Sequence, residues 1–144
     1  MGQTTLNYGG VRGKSPMGGS DVEDPGLIVG GIAVDDDTYQ DDVDRVYDVR
    51  GVKQFSFSIT NQDGSNGLTW RLQQTEDPVP ESGDMTGATW VDIDAEATLA
   101  AGITAKKEFT RTTLLLSAVR LQVKETSGGS DASYNGRFVV GNYL

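Results

Sequence analysis

The sequence predicts an all-β protein, an antiparallel β-sandwich or jelly-roll-like domain with an extended N-terminal arm. Three observations predict it. Short runs alternate apolar and polar residues along most of the chain. Clusters of Gly, Asn, Asp, Ser and Pro punctuate those runs. No stretch sustains the apolar period of a helix. The 144 residues fit one domain.

The chain opens with MGQTTLNYGGVRGKSPMGGS, which holds six glycines. Glycine loses the most backbone freedom on ordering, so this stretch takes a fixed shape only against something else. Its anchors are Leu6, Tyr8, Val11, Arg12, Lys14 and Met17, the partner-binding candidates of the sequence. The organisation read here is an arm over 1–26, an apolar strand plus an acidic segment over 27–51, and a β-sandwich domain over 52–144.

The elements follow in order. GLIVGGIAV (26–34) is an apolar strand interrupted by Gly30 and Gly31. DRVYDVRGV (44–52) holds a second strand, pairing Val46 with Asp48 on one face and Tyr47 with Val49 on the other. VKQFSFSIT (52–60) alternates cleanly, with Phe55, Phe57 and Ile59 inward. NQDGSNG (61–67) is turn-rich, and LTWRLQQT (68–75) returns with Leu68, Trp70 and Leu72 inward, making a hairpin. EDPVPESGDMTG (76–87) is a polar connection whose two prolines exclude a central strand. ATWVDID restarts a strand around Trp90, with Val91 and Ile93 facing away from it. AEATLAAGI reads as a turn or one helical turn ended by Gly102. KKEFTRTT leads to LLLSAVRLQVKET, where Leu115, Val119, Leu121 and Val123 share a face. Leu114 and Leu116 are out of phase, which implies a bulge near Ser117 or burial on both faces. SGGSDASYNG is a loop. RFVVGNYL is the last strand, with Phe138 and Val140 inward. These inward residues, with Trp90, form the expected core.

Composition narrows the function. The chain has no Cys and no His. That removes thiolate and imidazole ligands, disulfides and the usual nucleophile–base pairs, and it lowers the expectation of an enzyme. No run approaches a membrane span, and no apolar leader is evident. The net charge is −9, concentrated over residues 15–49. With no basic patch, nucleic acid is not an expected partner.

Each local chemical motif is weighed against a plain reading. VDDDTYQDDVDRVYD (34–48) invites calcium binding, but the ligand order of a helix–loop–helix calcium loop is absent, and a solvated loop or an acidic partner surface fits better. NQDGSNG fails the same test. Asp92 and Asp94 lie on one strand face but look like ordinary outward polar residues rather than a glycosidase pair. Trp70, Trp90, Tyr134 and Tyr143 suit a core better than a sugar platform. Gly13-Lys14-Ser15 lacks the spacing and flanking elements of a phosphate loop. No catalytic residue, cofactor or metal is assigned.

FSFSITNQDGSNGLTWRLQQT, TWVDI, LAAGI and VRLQVKETSGGSDASYNGRFVVGNYL together resemble small β-sandwich proteins of tailed-bacteriophage virions, particularly capsid decoration (cement) proteins. The resemblance covers about residues 52–144. It implies a non-enzymatic role on the outer capsid surface, with the major capsid protein and the chain itself, as a homotrimer, for partners. The arm would then contact neighbouring subunits. The alternatives are a carbohydrate- or receptor-binding sandwich and a phage tail or connector protein.

Overall fold

A computed structural model of the chain describes residues 26–40, 44–110 and 117–143. Nine strands lie among these residues: β1 (Leu27–Val34), β2 (Arg45–Asp48), β3 (Val52–Asn61), β4 (Leu68–Thr75), β5 (Val91–Asp92), β6 (Ala97–Leu99), β7 (Thr104–Thr110), β8 (Ala118–Glu125) and β9 (Ala132–Tyr143). They build two sheets. One has four strands in the order β1-β9-β3-β7; the other has five, in the order β2-β8-β4-β5, with β6 also paired to β4. Every pairing is antiparallel. The all-β sandwich expected from the alternation is therefore the fold.

The strands form where period two matches a buried inner face. Phe55, Phe57 and Ile59 of β3 are buried, as are Leu68, Trp70 and Leu72 of β4 and Val119, Leu121 and Val123 of β8. Tyr47 stacks on Phe138 with ring centroids 4.4 Å apart, and Phe57 lies 4.9 Å from Phe138. These three rings join the sheets at the centre of the core. Val140 packs against that core from its margin.

Several expectations need correction. The sandwich begins at Leu27, not at residue 52, because β1 pairs with β9 and β2 with β8. Ala97–Leu99, read as a turn, is a strand, since its backbone pairs with Leu68–Trp70. The loop assigned to SGGSDASYNG ends at Asp131, and β9 starts at Ala132 against β1. Gly136 lets β9 lie close against β3: a Cβ there would meet the Ser58 carbonyl oxygen at 2.5 Å. Trp90 lies outside the inter-sheet core. It packs with Val46, Met85 and Ala118 in a second cluster, while Ile93, expected to turn away from the core, packs against it. Leu114, Leu115 and Leu116 lie outside the described residues, and with them the expected bulge.

Gly30 and Gly31 do interrupt β1. Both have positive φ (92° and 63°), and the register against β9 shifts between Ile28 and Ile32. Glycine is the residue that accepts that backbone without strain. The Gly31 amide then donates to the Asn135 side chain at 2.8 Å, which holds the bulge.

Candidate functional site

The arm residues Leu6, Tyr8, Val11, Arg12, Lys14 and Met17 all lie outside the described residues. The described sandwich offers two outer faces on which a site could be built, and they differ in kind.

The outer face of the five-stranded sheet is closed by its own side chains. Alternation along β4 and β8 sends Arg71, Gln73, Arg120, Gln122 and Lys124 outward, and the register sets Arg71 opposite Gln122 and Gln73 opposite Arg120. Arg71 Nε donates to Gln122 Oε1 at 2.8 Å, and Arg120 Nε donates to Gln73 Oε1 at 2.8 Å. Gln73 in turn donates to Asp92 at 2.8 Å, and Gln122 donates to Asp44 at 2.9 Å. Tyr39, from the β1–β2 connection, lies under Arg71 (4.1 Å) and Lys124 (4.8 Å), and its hydroxyl donates to Glu96 at 2.6 Å. Burial and the Glu96 carboxylate hold that phenol well above the usual range. At the other end, the Arg120 guanidinium sits 4.6 Å over the Trp90 ring. Both exposed-face aromatics are thus already engaged by cations of the chain.

This ladder accounts for part of the acidic band. Asp44 is fully buried and faces Arg120 at 3.7 Å. Asp48 is buried as well and takes a two-point ion pair from Arg50, with contacts of 3.0 and 2.7 Å. Asp36 caps its own turn, accepting from the Thr38 amide (2.9 Å) and hydroxyl (2.7 Å), which lowers its pKa. A band read from sequence as solvated therefore turns inward at Asp44 and Asp48. Asp41 and Asp42 lie outside the described residues. Asp92 and Asp94 have separate partners: Gln73 and Arg71 hold Asp92, while Lys107 of the opposite sheet holds Asp94 at 3.1 Å. Trp70 and Tyr134 are core residues, in keeping with the plain reading.

The outer face of the four-stranded sheet is open. Its register aligns Glu108, Ser56 and Val139 in one row, and Lys106, Ser58, Arg137 and Leu27 in the next. The outward side chains of β3 are small hydroxyls, with Thr60 bonded to Thr104 at 2.7 Å, while Lys106 and Glu108 of β7 pair at 2.6 Å. Leu27, Val29 and Val139 are 40%, 58% and 44% exposed. A shallow groove of about 300 Å³ crosses β9, β3 and β7, lined by Gln54, Ser56, Lys106, Glu108, Val139 and Gly141 among others. The backbone carbonyl of Gly26 accepts from the Phe138 amide at 2.8 Å. Gly26 therefore lies beside β9 near Val139, at the margin of this face.

No protein-family model matches the chain, and no curated protein matches it. Among solved structures, the chain is similar to the CBM22-1 xylan-binding domain of Paenibacillus barcinonensis Xyn10C, with 12% identity and a TM-score of 0.41 over 69% of this chain and 65% of that one. It is similar to a chain of the T13 IBDV viral particle, with 9% identity and a TM-score of 0.47 over 79% and 29%. A third likeness is to a CBM4 structure, with 14% identity and a TM-score of 0.40 over 67% and 57%. The chain thus spans a little under two thirds of the first and less than a third of the second. These are distant likenesses between β-sandwiches, and they assign neither ligand nor assembly.

Proposed function

We propose that this chain is a non-enzymatic structural protein of a bacteriophage virion, a decoration or cement protein on the outer surface of the capsid. The observation that supports this reading is the asymmetry of the two outer faces. One face is filled by a self-satisfied polar ladder. The other carries the short hydroxyls of β3, a shallow groove and a Lys106–Glu108 ion pair, and exposed apolar residues edge it near Gly26. A shallow face with exposed apolar residues at its edge suits a broad protein partner, whereas a small-molecule site is more enclosed. The partners are the major capsid protein and further copies of the chain, arranged as a homotrimer. Leu6, Tyr8, Val11, Arg12, Lys14 and Met17 would bind the neighbouring subunit, as an extended segment added to a sheet edge or laid on the open face.

Co-sedimentation with purified capsid shells tests this. The full chain is expected to bind, and a variant lacking residues 1–20 to bind at least about tenfold more weakly, the loss of about 1.4 kcal/mol. Undiminished binding of that variant would remove the arm from the mechanism. Failure of the full chain to bind shells, together with its appearance on tails in labelled particles, would replace the decoration role with a tail role. Trp90→Ala is expected to leave any glycan-array signal unchanged, because Arg120 already covers that ring.

A further inference from the structure

Three connections meet at one end of the sandwich. The Glu125 amide donates to the Asp36 carbonyl at 2.8 Å, the Thr126 amide to Gly67 at 3.3 Å, and the Asn66 side chain to the Asp131 carbonyl at 2.9 Å. These bonds gather residues 35–40, 62–67 and 126–131. The same segments carry Asp36, Asp37, Asp63 and Asp131 beside Glu125, the last residue of β8. Local donors hold two of these acids: Thr38 holds Asp36, and the amides of Ser65 and Asn66 hold Asp63 at 2.7 and 2.5 Å. Asp37 stands against the β8–β9 turn, where a Cβ on Gly128 would lie 3.0 Å from its Oδ2.

Glu125 is different. It is 1% exposed, and neither carboxyl oxygen has a hydrogen-bond partner. The carboxyl of Asp131 and the amides of Gly129 and Ser130 face it from the turn, the acid opposing its charge and the two amides favouring it more weakly. The charged group facing it is thus a second acid. Burial disfavours the carboxylate, a like charge beside it compounds the penalty, and the two amides offset only part of it. Two remedies exist, a proton shared with Asp131 or a cation between the two acids.

We propose that Glu125 and Asp131 bind a divalent cation of the calcium class at this loop junction. The donors are hard oxygens, and the surrounding segments are turns, which suits the irregular, carbonyl-rich shell of calcium better than the strict octahedron of magnesium. Among the described residues no three His, Cys, Asp or Glu side chains converge as a metal cage. Turn carbonyls and water therefore complete the shell. The ion would tie the β8–β9 turn to the end of β8 and so brace the start of β9, the strand that carries Tyr134 and Phe138 into the core.

The test uses the full chain at neutral pH, melted in chelator, in calcium and in magnesium. Calcium is expected to raise the melting temperature with rising concentration, and magnesium to raise it less. Glu125→Gln keeps the shape of the protonated acid, so it is expected to fold, and to weaken calcium binding by at least about tenfold in titration calorimetry. Asp63→Asn, whose carboxylate already has two amide donors, is expected to keep the calcium response. The proposal is overturned if millimolar calcium leaves the wild-type melt unchanged and carbonyl NMR finds Glu125 protonated near neutral pH, the shared-proton outcome. It is equally overturned if Glu125→Gln retains the full calcium response.

Discussion

The two outer faces of this sandwich are built on the same alternating pattern and end in opposite conditions. On the five-stranded sheet, the outward positions carry long polar side chains that find one another across β4 and β8, and Tyr39 and Trp90 are drawn in beneath them. On the four-stranded sheet, the outward positions of β3 are Ser56, Ser58 and Thr60, and the contacts beside them are local: Thr60 meets Thr104 of β7 at 2.7 Å, and Lys106 pairs with Glu108 along β7 at 2.6 Å. Side-chain length at matched positions thus decides that one face carries a continuous cross-strand ladder and the other only local contacts.

That contrast can be broken or sharpened. The largest effect is expected from Phe138→Ala, because its ring contacts Tyr47, Phe55 and Phe57 and is shared by both sheets. Denaturant unfolding should show a loss of about 3–5 kcal/mol. Arg120→Ala strikes only the closed face. It removes the bond to Gln73 and the cover over Trp90, and it takes a cation from beside buried Asp44. A loss of about 1–3 kcal/mol is expected. Tyr39→Phe deletes the hydroxyl bonded to Glu96 and leaves the ring under its cations. Its expected cost is about 0.5–1.5 kcal/mol. Ser56→Arg on the open face should change stability by no more than about 0.5 kcal/mol, yet weaken shell binding if that face docks. Equal losses from Arg120→Ala and Ser56→Arg would erase the distinction between the faces.

The smallest effects are in the pH dependence, and two acids give opposite signs. The amides of Asn66 and Ser65 lower the pKa of Asp63 below the ordinary 3.8. Its contribution is present above that value and is lost as pH falls through the folded one. Burial and then Asp131 raise the pKa of Glu125 above 4.5. In the metal-free protein its contribution is present below 4.5 and is lost as pH rises through the folded value. Urea midpoints measured across pH should show the acid loss shrink in Asp63→Asn and the loss on raising pH shrink in Glu125→Gln.

Local sequence revealed β3 and β4 because their aromatic and aliphatic residues alternate without interruption. It misplaced Trp90 because alternation separates two faces of a strand but does not say which apolar cluster each will meet. It misread Ala97–Leu99, whose small residues have no strong preference of their own and become a strand by pairing with Leu68–Trp70. It placed Asp44 in a solvated or partner-facing acidic band because no local signal announces a partner such as Gln122, 78 residues away. It left Tyr47, which is buried, out of the expected core, since a tyrosine beside charged neighbours does not show its burial until both sheets close over it. Glu125 escaped for the same reason: its burial comes from three loops far apart in the chain.

The amino-acid order by itself determined the all-β class, the alternation that sorts inward from outward residues, the glycine-bearing interruption of the first strand, and the absence of thiol and imidazole chemistry. These are properties of neighbouring residues and of composition. Only the tertiary structure decided the strand order, the closing of one outer face and the opening of the other, and the burial of Asp44, Asp48 and Glu125. Each of those depends on side chains that meet across sheets and loops, where the energy of a contact depends on which distant residue arrives opposite.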